Sequence, residues 1–292
     1  MCKPWQTGAK QGGAFRVIDI EHLQGWVGRS ETVTDQITPF QPNALAATLN
    51  RDDQFATGSD LLPLWHWLHF LKIFRLDEAG YDGHPALGGF LPPVPLPRRM
   101  WAGSRLKFLA PLKVGEVVTK TSTVTRVDHK AGRSGDLVFV TVRHVYDERI
   151  EEEHDIVYRD VAAPDAPVAV PVAAPDVCDF SRDVVPDPVL LFRYSALTFN
   201  GHRIHYDQPF CTGTEGYPGL VVHGPLLATL LLDGLRRHLP DAVVTEFEFR
   251  AMAPVFDTDR FAVQGAAVEG GYRLWIRRGD GALAMDAKAV LA

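Results

Sequence analysis

The sequence predicts an α+β fold, because one unit, a buried helix followed by about four antiparallel strands, occurs in it twice. The first helix is predicted over residues 61–80, which are apolar on nearly every side, carry a proline in the first turn and end in glycine. The second is predicted over Gly224–His238, a leucine-rich run that Pro240 stops. Such a helix laid against a curled antiparallel sheet, repeated once, describes a double hotdog. Two unrelated α+β domains are the alternative.

The predicted strands are rich in Val and Thr, alternate their faces and are separated by turn residues, as antiparallel strands are. In the first half they are Leu106–Leu109, Glu116–Val127, Leu137–Tyr146 and His154–Asp160. In the second half they are Val243–Phe249, Arg260–Val268, Tyr272–Arg277 and Ala282–Leu291. A short helix is also expected at Asn43–Leu49, ahead of the first unit.

Two sequence anchors support an internal duplication. The helix start Leu62-Pro63-Leu64 corresponds to Gly224-Pro225-Leu226 at an offset of 162 residues, and KFLAPL (107–112) corresponds to RAMAPV (250–255) at an offset of 143. The difference of 19 residues equals the length of a Pro- and Gly-rich insertion, Tyr81–Arg99. We therefore expect an N-terminal degenerate hotdog (1–160), an Ala/Pro/Val linker (161–183) and a C-terminal catalytic hotdog (184–292).

Composition excludes several classes of partner. A formal net charge of -6 gives no basic face for nucleic acid or for an anionic membrane. No stretch approaches the ~20 apolar residues of a membrane span, and the N-terminal MCKPWQTGAKQGG has no apolar core of a signal peptide. Cys2, Cys178 and Cys211 are odd in number and far apart, which argues against disulfides and zinc. A cytoplasmic protein is expected.

The stretch Tyr194–His223 holds three of the eleven histidines of the chain: His202, His205 and His223. Burying such a cluster is costly, so it indicates a functional site. A metal site formed by the HxxH pair and Asp207 is disfavoured, because no cysteine or ExxH partner is nearby and Arg203 would place a cation beside the metal. Ser195 lacks the GxSxG context of a nucleophile. No metal and no cofactor are predicted.

General acid–base chemistry on a thioester fits the stretch better. A histidine can activate water near neutral pH, and the N-terminus of a helix can receive the negative charge that develops on the thioester carbonyl oxygen. The tight entry into the second helix places free backbone N–H groups near His223 and Gly224, and Gly224 has no side chain to block a ligand.

At these residues the chain resembles a known family. TFNGHRIHYD followed by EGYPGLVVHGPLL is similar to the MaoC-like (R)-specific enoyl-CoA hydratases, and most similar to the branch of mitochondrial 3-hydroxyacyl-thioester dehydratase type 2 and the bacterial mesaconyl-C4-CoA and itaconyl-CoA hydratases. The resemblance implies an acyl-CoA hydro-lyase acting at C2–C3, with His205 catalytic and His223 and Gly224 forming the oxyanion pocket. The family's usual aspartate, five residues before the histidine, is Asn200 here.

Because an amide cannot take up a proton, the two-residue scheme of the family does not carry over whole. The hypothesis is that His205 is the single acid–base group, that Asn200 orients water or substrate, and that Asp207 or His202 holds the imidazole tautomer. Structural roles are the alternative for each: a satisfied buried histidine for His205 and His202, a turn or cap for Asp207, and a donor to backbone for His223.

One active site per chain is expected, because position 43, which is offset by 162 residues from His205, is an asparagine. Within the insertion, Arg98 and Arg99 are candidates to hold a distal carboxylate, which favours a dicarboxylic acyl group such as mesaconyl or itaconyl. Two solvated surface arginines are the alternative. Candidates for the CoA phosphates are Arg193, Arg203 and Arg250.

Two other functions remain open from the sequence. A thioesterase would need a carboxylate near the helix start, where Glu215 is the candidate, and a non-catalytic double hotdog would only bind acyl-CoA. In each case a homodimer is expected, since hotdog domains usually associate through sheet edges.

Overall fold

The computed structural model of the chain describes residues 18–85, 87–132, 135–160 and 170–292. Its first-half strands are β1 (Ser30–Gln36), β2 (Arg98–Phe108), β3 (Val117–Gly132), β4 (Gly135–Tyr146) and β5 (Ile150–Arg159). Its second-half strands are β6 (Phe180–Val184), β7 (Val244–Ala251), β8 (Phe261–Val268), β9 (Gly271–Arg278) and β10 (Leu283–Leu291). The helices are α1 (Ile20–Gln24), α2 (Phe40–Thr48), α3 (Pro188–Leu197), α4 (Gln208–Gly213) and α5 (Gly224–His238). Each of the eight predicted strands is present.

All ten strands form one antiparallel sheet in the order β1-β3-β4-β5-β2-β7-β10-β9-β8-β6. The second half repeats the order of the first half in reverse, with β6 in the place of β1 and β7 in the place of β2. The halves join where β2 pairs with β7, from Gly103 opposite Arg250 to Lys107 opposite Glu246. The duplication predicted from the sequence offsets is therefore visible in the topology, and the fold is the predicted double hotdog.

The second predicted helix has the predicted bounds. Ten consecutive residues of α5, from Leu226 to Leu235, are buried, and Pro225 occupies the first turn. The helix lies on the concave face of the second-half strands and packs closely: a Cβ added at Gly234 would lie 2.8 Å from Cγ1 of Val263 on β8. The close packing makes α5 the centre of the main hydrophobic core.

The first predicted helix, residues 61–80, is wrong. The segment forms one 3₁₀ turn at Trp65–Leu68 and another at Leu76–Glu78. Leu64 (φ 71°) and Phe70 (φ 58°) take left-handed backbone conformations on either side of the first turn, which a continuous α-helix cannot include. Most apolar residues up to Phe70 are buried all the same, whereas Ile73 and Leu76 are exposed. An apolar run does not reveal by itself whether it is helical. The α-helices described in the first half are α1 and α2, and α2 contacts α3.

Other sequence predictions are corrected or stay open. The short helix predicted at Asn43–Leu49 is present but begins at Phe40, and β1, β6 and α3 were not predicted. The division into 1–160, 161–183 and 184–292 stays a prediction: β6 begins inside the predicted linker, while residues 161–169 lie outside the described residues. The N-terminal segment with Cys2 also lies outside them. Cys178 and Cys211 are free thiols. Within the described ranges, no helix is long and apolar enough to cross a bilayer.

Candidate active site

A cavity of about 810 Å³ lies between the two halves and is lined by both. The second half contributes the loop around Asn200–His205 and the start of α5. The first half contributes the insertion 81–99 and the concave face of β2–β5, which the missing helix leaves uncovered. The site is therefore built jointly, although only one half carries the histidine motif.

Four imidazole rings lie next to one another at the cavity wall, and three of them (His84, His202 and His205) line the cavity. We refer to the four rings as the imidazole row. The ring centroids of His84 and His202 are 4.0 Å apart, those of His202 and His205 are 5.4 Å apart, and those of His205 and His223 are 3.7 Å apart in a stacked arrangement. Three members come from the predicted stretch, and His84 comes from the insertion in the first half.

His205 ends a 3₁₀ turn (Arg203–His205) and is 7% exposed. Its Nδ1 lies 2.7 Å from the carbonyl oxygen of Val221, so that Nδ1 carries the proton and donates it to this hydrogen bond. The Nε2 atom is then a bare acceptor. Burial lowers the pKa of His205 to about 4, so the ring is neutral at pH 7. A neutral imidazole of fixed tautomer on a cavity wall is suited to act as a general base.

Asn200 lines the same cavity and has a fixed amide orientation. Its Oδ1 accepts a hydrogen bond from the backbone N–H of His202 at 3.0 Å, in the manner of an Asx turn. Its amide NH₂ group is thereby left to donate. Its amide group is placed to donate to a water molecule or a substrate oxygen, but it cannot exchange a proton with either.

The contacts of Asp207 correct its predicted role. Oδ1 of Asp207 caps α4 by accepting from the backbone N–H of Phe210 at 3.0 Å, and Oδ2 pairs with Arg203 at 2.7 Å. The carbonyl of Val221, and neither Asp207 nor His202, holds the tautomer of His205.

Of the two residues predicted to form the oxyanion pocket, Gly224 lines the cavity and His223 does not. His223 is fully buried behind His205, and its Nε2 lies 2.7 Å from the Ser195 hydroxyl instead of facing the cavity. Gly224, the first residue of α5, does line the cavity, and a Cβ added there would meet only open space. A ligand can therefore reach the N-terminus of α5 at Gly224 but not at His223.

The five predicted arginines occupy different environments. Arg98 and Arg99 line the cavity, so the reading of both as surface arginines is wrong. Arg98 donates to the backbone carbonyl of Glu215 at 3.0 Å and stacks on Tyr217. Arg99 forms no ion pair with any described carboxylate. Arg203 pairs with Asp207 and donates to the carbonyl of Tyr81. The remaining two, Arg193 and Arg250, are exposed and outside the cavity wall.

Asp82 and His84 were missed by sequence reasoning, which treated the insertion only as an interruption of the repeat. Oδ2 of Asp82 lies 3.0 Å from Nδ1 of His84. Backbone packing holds this loop against the histidine stretch: a Cβ on Gly83 (φ +89°) would lie 1.9 Å from the carbonyl oxygen of Gly201. A DGH tripeptide in a Gly- and Pro-rich insertion was the available signal, but its partner lies 118 positions away.

A second polar cluster, also missed, lies on the concave face of the first half. The Glu152 carboxylate accepts hydrogen bonds from the Trp67 indole and the Ser104 hydroxyl, both at 3.1 Å. Beside it, His144 contacts the Ser122 hydroxyl at 2.8 Å, and Nε2 of His154 is buried without a hydrogen-bond partner in the described structure. Ser122, His144 and Glu152 are cross-strand neighbours, so the strand register was needed to find them.

Comparison with known proteins identifies the family. The family model described as hydroxyacyl-thioester dehydratase type 2 matches residues 64–257 of the chain. A Chloroflexus aurantiacus protein named mesaconyl-C(4)-CoA hydratase is 47% identical over 272 residues, which cover 91% of this chain and 96% of that protein. The chain belongs to the hydroxyacyl-thioester dehydratase type 2 family. It is therefore a hydro-lyase of the hydratase/dehydratase type.

Solved structures of low sequence identity show the fold of this family member. A MaoC-like dehydratase from Phytophthora capsici superposes with a TM-score of 0.68 at 14% identity, over 94% of this chain and 99% of that chain. A Mycobacterium tuberculosis protein described as having a double hotdog fold superposes with a TM-score of 0.50 at 14% identity, over 91% of this chain and 96% of that chain.

Proposed function

We propose that the chain catalyses the reversible addition of water across C2–C3 of an enoyl-CoA whose acyl group carries a distal carboxylate, of the mesaconyl-C4-CoA or itaconyl-CoA type. The observation that carries the proposal is the neutral, tautomer-fixed His205 on the cavity wall between Asn200 and the open start of α5. The identity to the Chloroflexus hydratase supports the substrate class.

The reaction follows from these positions. The thioester carbonyl oxygen lies at the N-terminus of α5, where the free N–H of Gly224 and the helix dipole stabilise the charge that it gains as an enolate. The Asn200 amide donates to the attacking water, and Nε2 of His205 takes a proton from it while the hydroxyl group adds to C3. C2 then takes up a proton, and His205 releases the one that it holds.

Arg99 is the group that we assign to the distal carboxylate. It lines the cavity, forms no ion pair with a described carboxylate, and lies near enough to His84 and His202 to lower the pKa of both rings. A guanidinium group so placed offers paired hydrogen bonds to an acyl carboxylate close to the reacting carbons. Arg98, which already holds Glu215, supports the cavity wall.

Three further predictions belong to this proposal. Arg193 and Arg250, exposed near the cavity-bearing elements, remain the candidates for the CoA phosphates, while Arg203 is engaged with Asp207. The working protein is a homodimer, and it acts in the cytoplasm. Size-exclusion chromatography with light scattering tests the homodimer.

One assay tests the proposed function against the two alternatives. Purified protein is mixed with mesaconyl-C4-CoA or with crotonyl-CoA, and the loss of enoyl absorbance is followed together with the release of free thiol. Loss of absorbance without thiol is expected, with higher kcat/KM for mesaconyl-C4-CoA. Thiol release would instead select the thioesterase, for which Glu215 is the carboxylate at the site. Binding without either change would select an acyl-CoA carrier.

A further inference from the structure

Within the described chain, Asp82 is the carboxylate that hydrogen-bonds a ring of the imidazole row. Its Oδ2 lies 3.0 Å from Nδ1 of His84, and its Oδ1 accepts the backbone N–H of His84 at 3.0 Å. Both carboxylate oxygens are therefore engaged with one residue. Because Nδ1–H of His84 is directed to the carboxylate, proton exchange with a ligand is left to Nε2.

The loop that carries this pair is docked onto the histidine stretch by its backbone. The N–H of Arg203 donates to the carbonyl of Asp82 at 2.9 Å, and the guanidinium of Arg203 donates to the carbonyl of Tyr81 at 3.0 Å. Together with the contact of Gly83 and Gly201, these bonds fix His84 relative to His202 and His205. The pair belongs to the same rigid site as the base, although it comes from the other half of the chain.

His84 is also the ring in the row best able to hold a proton. Burial lowers the pKa of His202 and of His205, and burial lowers that of His223 well below its ordinary value. Burial lowers the pKa of His84 as well, but Asp82 opposes this effect. The other charged or titratable groups that face His84 are His202, His205 and Arg99, and each disfavours an added positive charge.

We propose that His84, held by Asp82, is the second acid–base group of the site and replaces the carboxylate that is missing at position 200. The proposal rests on the proposed function. During hydration Nε2 of His205 takes a proton from water as the C3–O bond forms and the C2=C3 π bond breaks. The electron pair left at C2 takes the proton from Nε2 of His84, which enters this step as the imidazolium paired with the Asp82 carboxylate. The proton on His205 then returns to His84 through solvent or the imidazole row, which restores both groups.

A metal ion is the competing occupant of these side chains. One donor atom from each of Asp82, His84 and His202 lies within 4.8 Å of the other two. However, Nδ1 of His84 is hydrogen-bonded to the carboxylate itself, and the centroids of the two imidazole rings lie 4.0 Å apart with the rings tilted by 41°. This is the arrangement of a His–Asp proton-transfer pair, and the experiment below includes the metal as an opposing outcome.

The first test replaces each member of the pair in the full-length enzyme. His84→Gln is expected to lower kcat for mesaconyl-C4-CoA about 100-fold or more while KM stays within about threefold, because only proton transfer is lost. Asp82→Asn is expected to lower kcat about tenfold and to move the alkaline limb of the kcat–pH profile to lower pH. The matched control is His129→Gln, which removes the histidine of an exposed His–Asp pair (2.7 Å to Asp136) and should leave kcat unchanged.

The second test is a rescue, which a purely structural role of His84 would not show. Adding Asn200→Asp to His84→Gln returns a carboxylate to the family position and should recover at least about tenfold in kcat. Wild-type turnover of His84→Gln would overturn the proposal, as would an unrescued loss with a lowered Tm. Activity that disappears with EDTA and returns with Zn²⁺ would assign the side chains to a metal. A wild-type enzyme that hydrates neither substrate would instead refute the proposed function.

Discussion

The two halves of the chain share one strand order but treat the concave face of the sheet differently. In the second half, α5 covers that face and seals it with leucine side chains. In the first half, the corresponding segment forms only short 3₁₀ turns, the first at Trp65–Leu68, and the face opens into the cavity. Loss of one helix thus creates the binding space, and retention of the other supplies a helix N-terminus to the site.

The two halves also differ in where their polar cavity residues lie. The second half supplies His205 and Asn200 from a loop beside its helix, whereas the first half places Glu152, His144 and His154 on the strands that its helix no longer covers. The first half lacks the histidine motif of the second half, yet it contributes Asp82, His84 and Arg99 to the cavity wall. Polar residues of the cavity wall therefore come also from the half that was expected to be structural.

Positions 205 and 43 are related by the 162-residue offset, and separate substitutions at the two positions compare the halves. The largest expected effect is at position 205. His205→Gln should lower kcat by about 10²–10⁴ with little change in Tm, because general acid–base catalysis is lost while a polar side chain remains. Steady-state kinetics on mesaconyl-C4-CoA and thermal unfolding measure the two effects. Retained turnover would contradict the assignment of His205.

The control at the other position is Asn43→Ala. The Asn43 amide donates to the carbonyls of Pro39 and Phe55 and accepts the N–H of Phe55, so it joins α2 to the following segment. Its loss leaves partly buried backbone groups unpaired and should cost about 1–3 kcal/mol of unfolding free energy. kcat of the folded fraction should not change.

The sequence allowed most of the sheet to be predicted, because eight strands have strong Val/Thr alternation and clear turn residues. It also predicted α5, whose bounds are marked by Gly224 and Pro225 at one end and Pro240 at the other. The helix predicted over residues 61–80 failed because burial on all sides is compatible with irregular backbone, and the left-handed Leu64 and Phe70 have no sequence signature. Strand β6 was not predicted because it contains a single β-branched residue and follows the Ala/Pro/Val segment.

The candidate site was predictable only where its residues are close in sequence. His202, His205 and Gly224 fall within one motif and do line one cavity. The place of His84 in the row depends on the contact of two loops that are 118 residues apart, and the Glu152 cluster depends on the strand register. No local sequence pattern contains either. Similarly, nothing local distinguishes Arg98, which is held by Glu215, from Arg99, which is not.

A second prediction concerns the neutral histidines that both halves bury. Burial lowers the pKa of His69, His144 and His205 to about 4, against an ordinary value of 6.5. Between pH 4 and pH 6.5 the unfolded chain therefore binds more protons than the folded chain. The free energy of unfolding is highest above pH 6.5, where the rings are neutral in both states, and it decreases as the pH falls toward 4. Each ring contributes on the order of 3 kcal/mol over this range. Tm should be nearly constant above pH 7 and should fall from pH 6.5 downward.

One first-half contribution to this acid sensitivity, that of His144, can be isolated with His144→Gln. Gln retains a group that can hydrogen-bond the Ser122 hydroxyl but takes up no proton, so Tm should decline less steeply with falling pH than in the wild type. Differential scanning calorimetry from pH 4 to pH 8 measures both slopes. An unchanged slope would mean that the acid sensitivity comes from the other buried rings, such as His69 and His205.

The smallest expected effect compares two neighbouring arginines of β2. Arg99→Gln should lower kcat/KM for mesaconyl-C4-CoA by about 10- to 100-fold and that for crotonyl-CoA by less than about threefold, because only the first acyl group has a carboxylate to lose its partner. Arg98→Gln should affect both substrates alike, since Arg98 supports Glu215 and Tyr217 of the cavity wall. Equal losses on both substrates for Arg99→Gln would remove the carboxylate assignment. A selective loss would show that the first half, which lacks the histidine motif, sets the acyl specificity of the second.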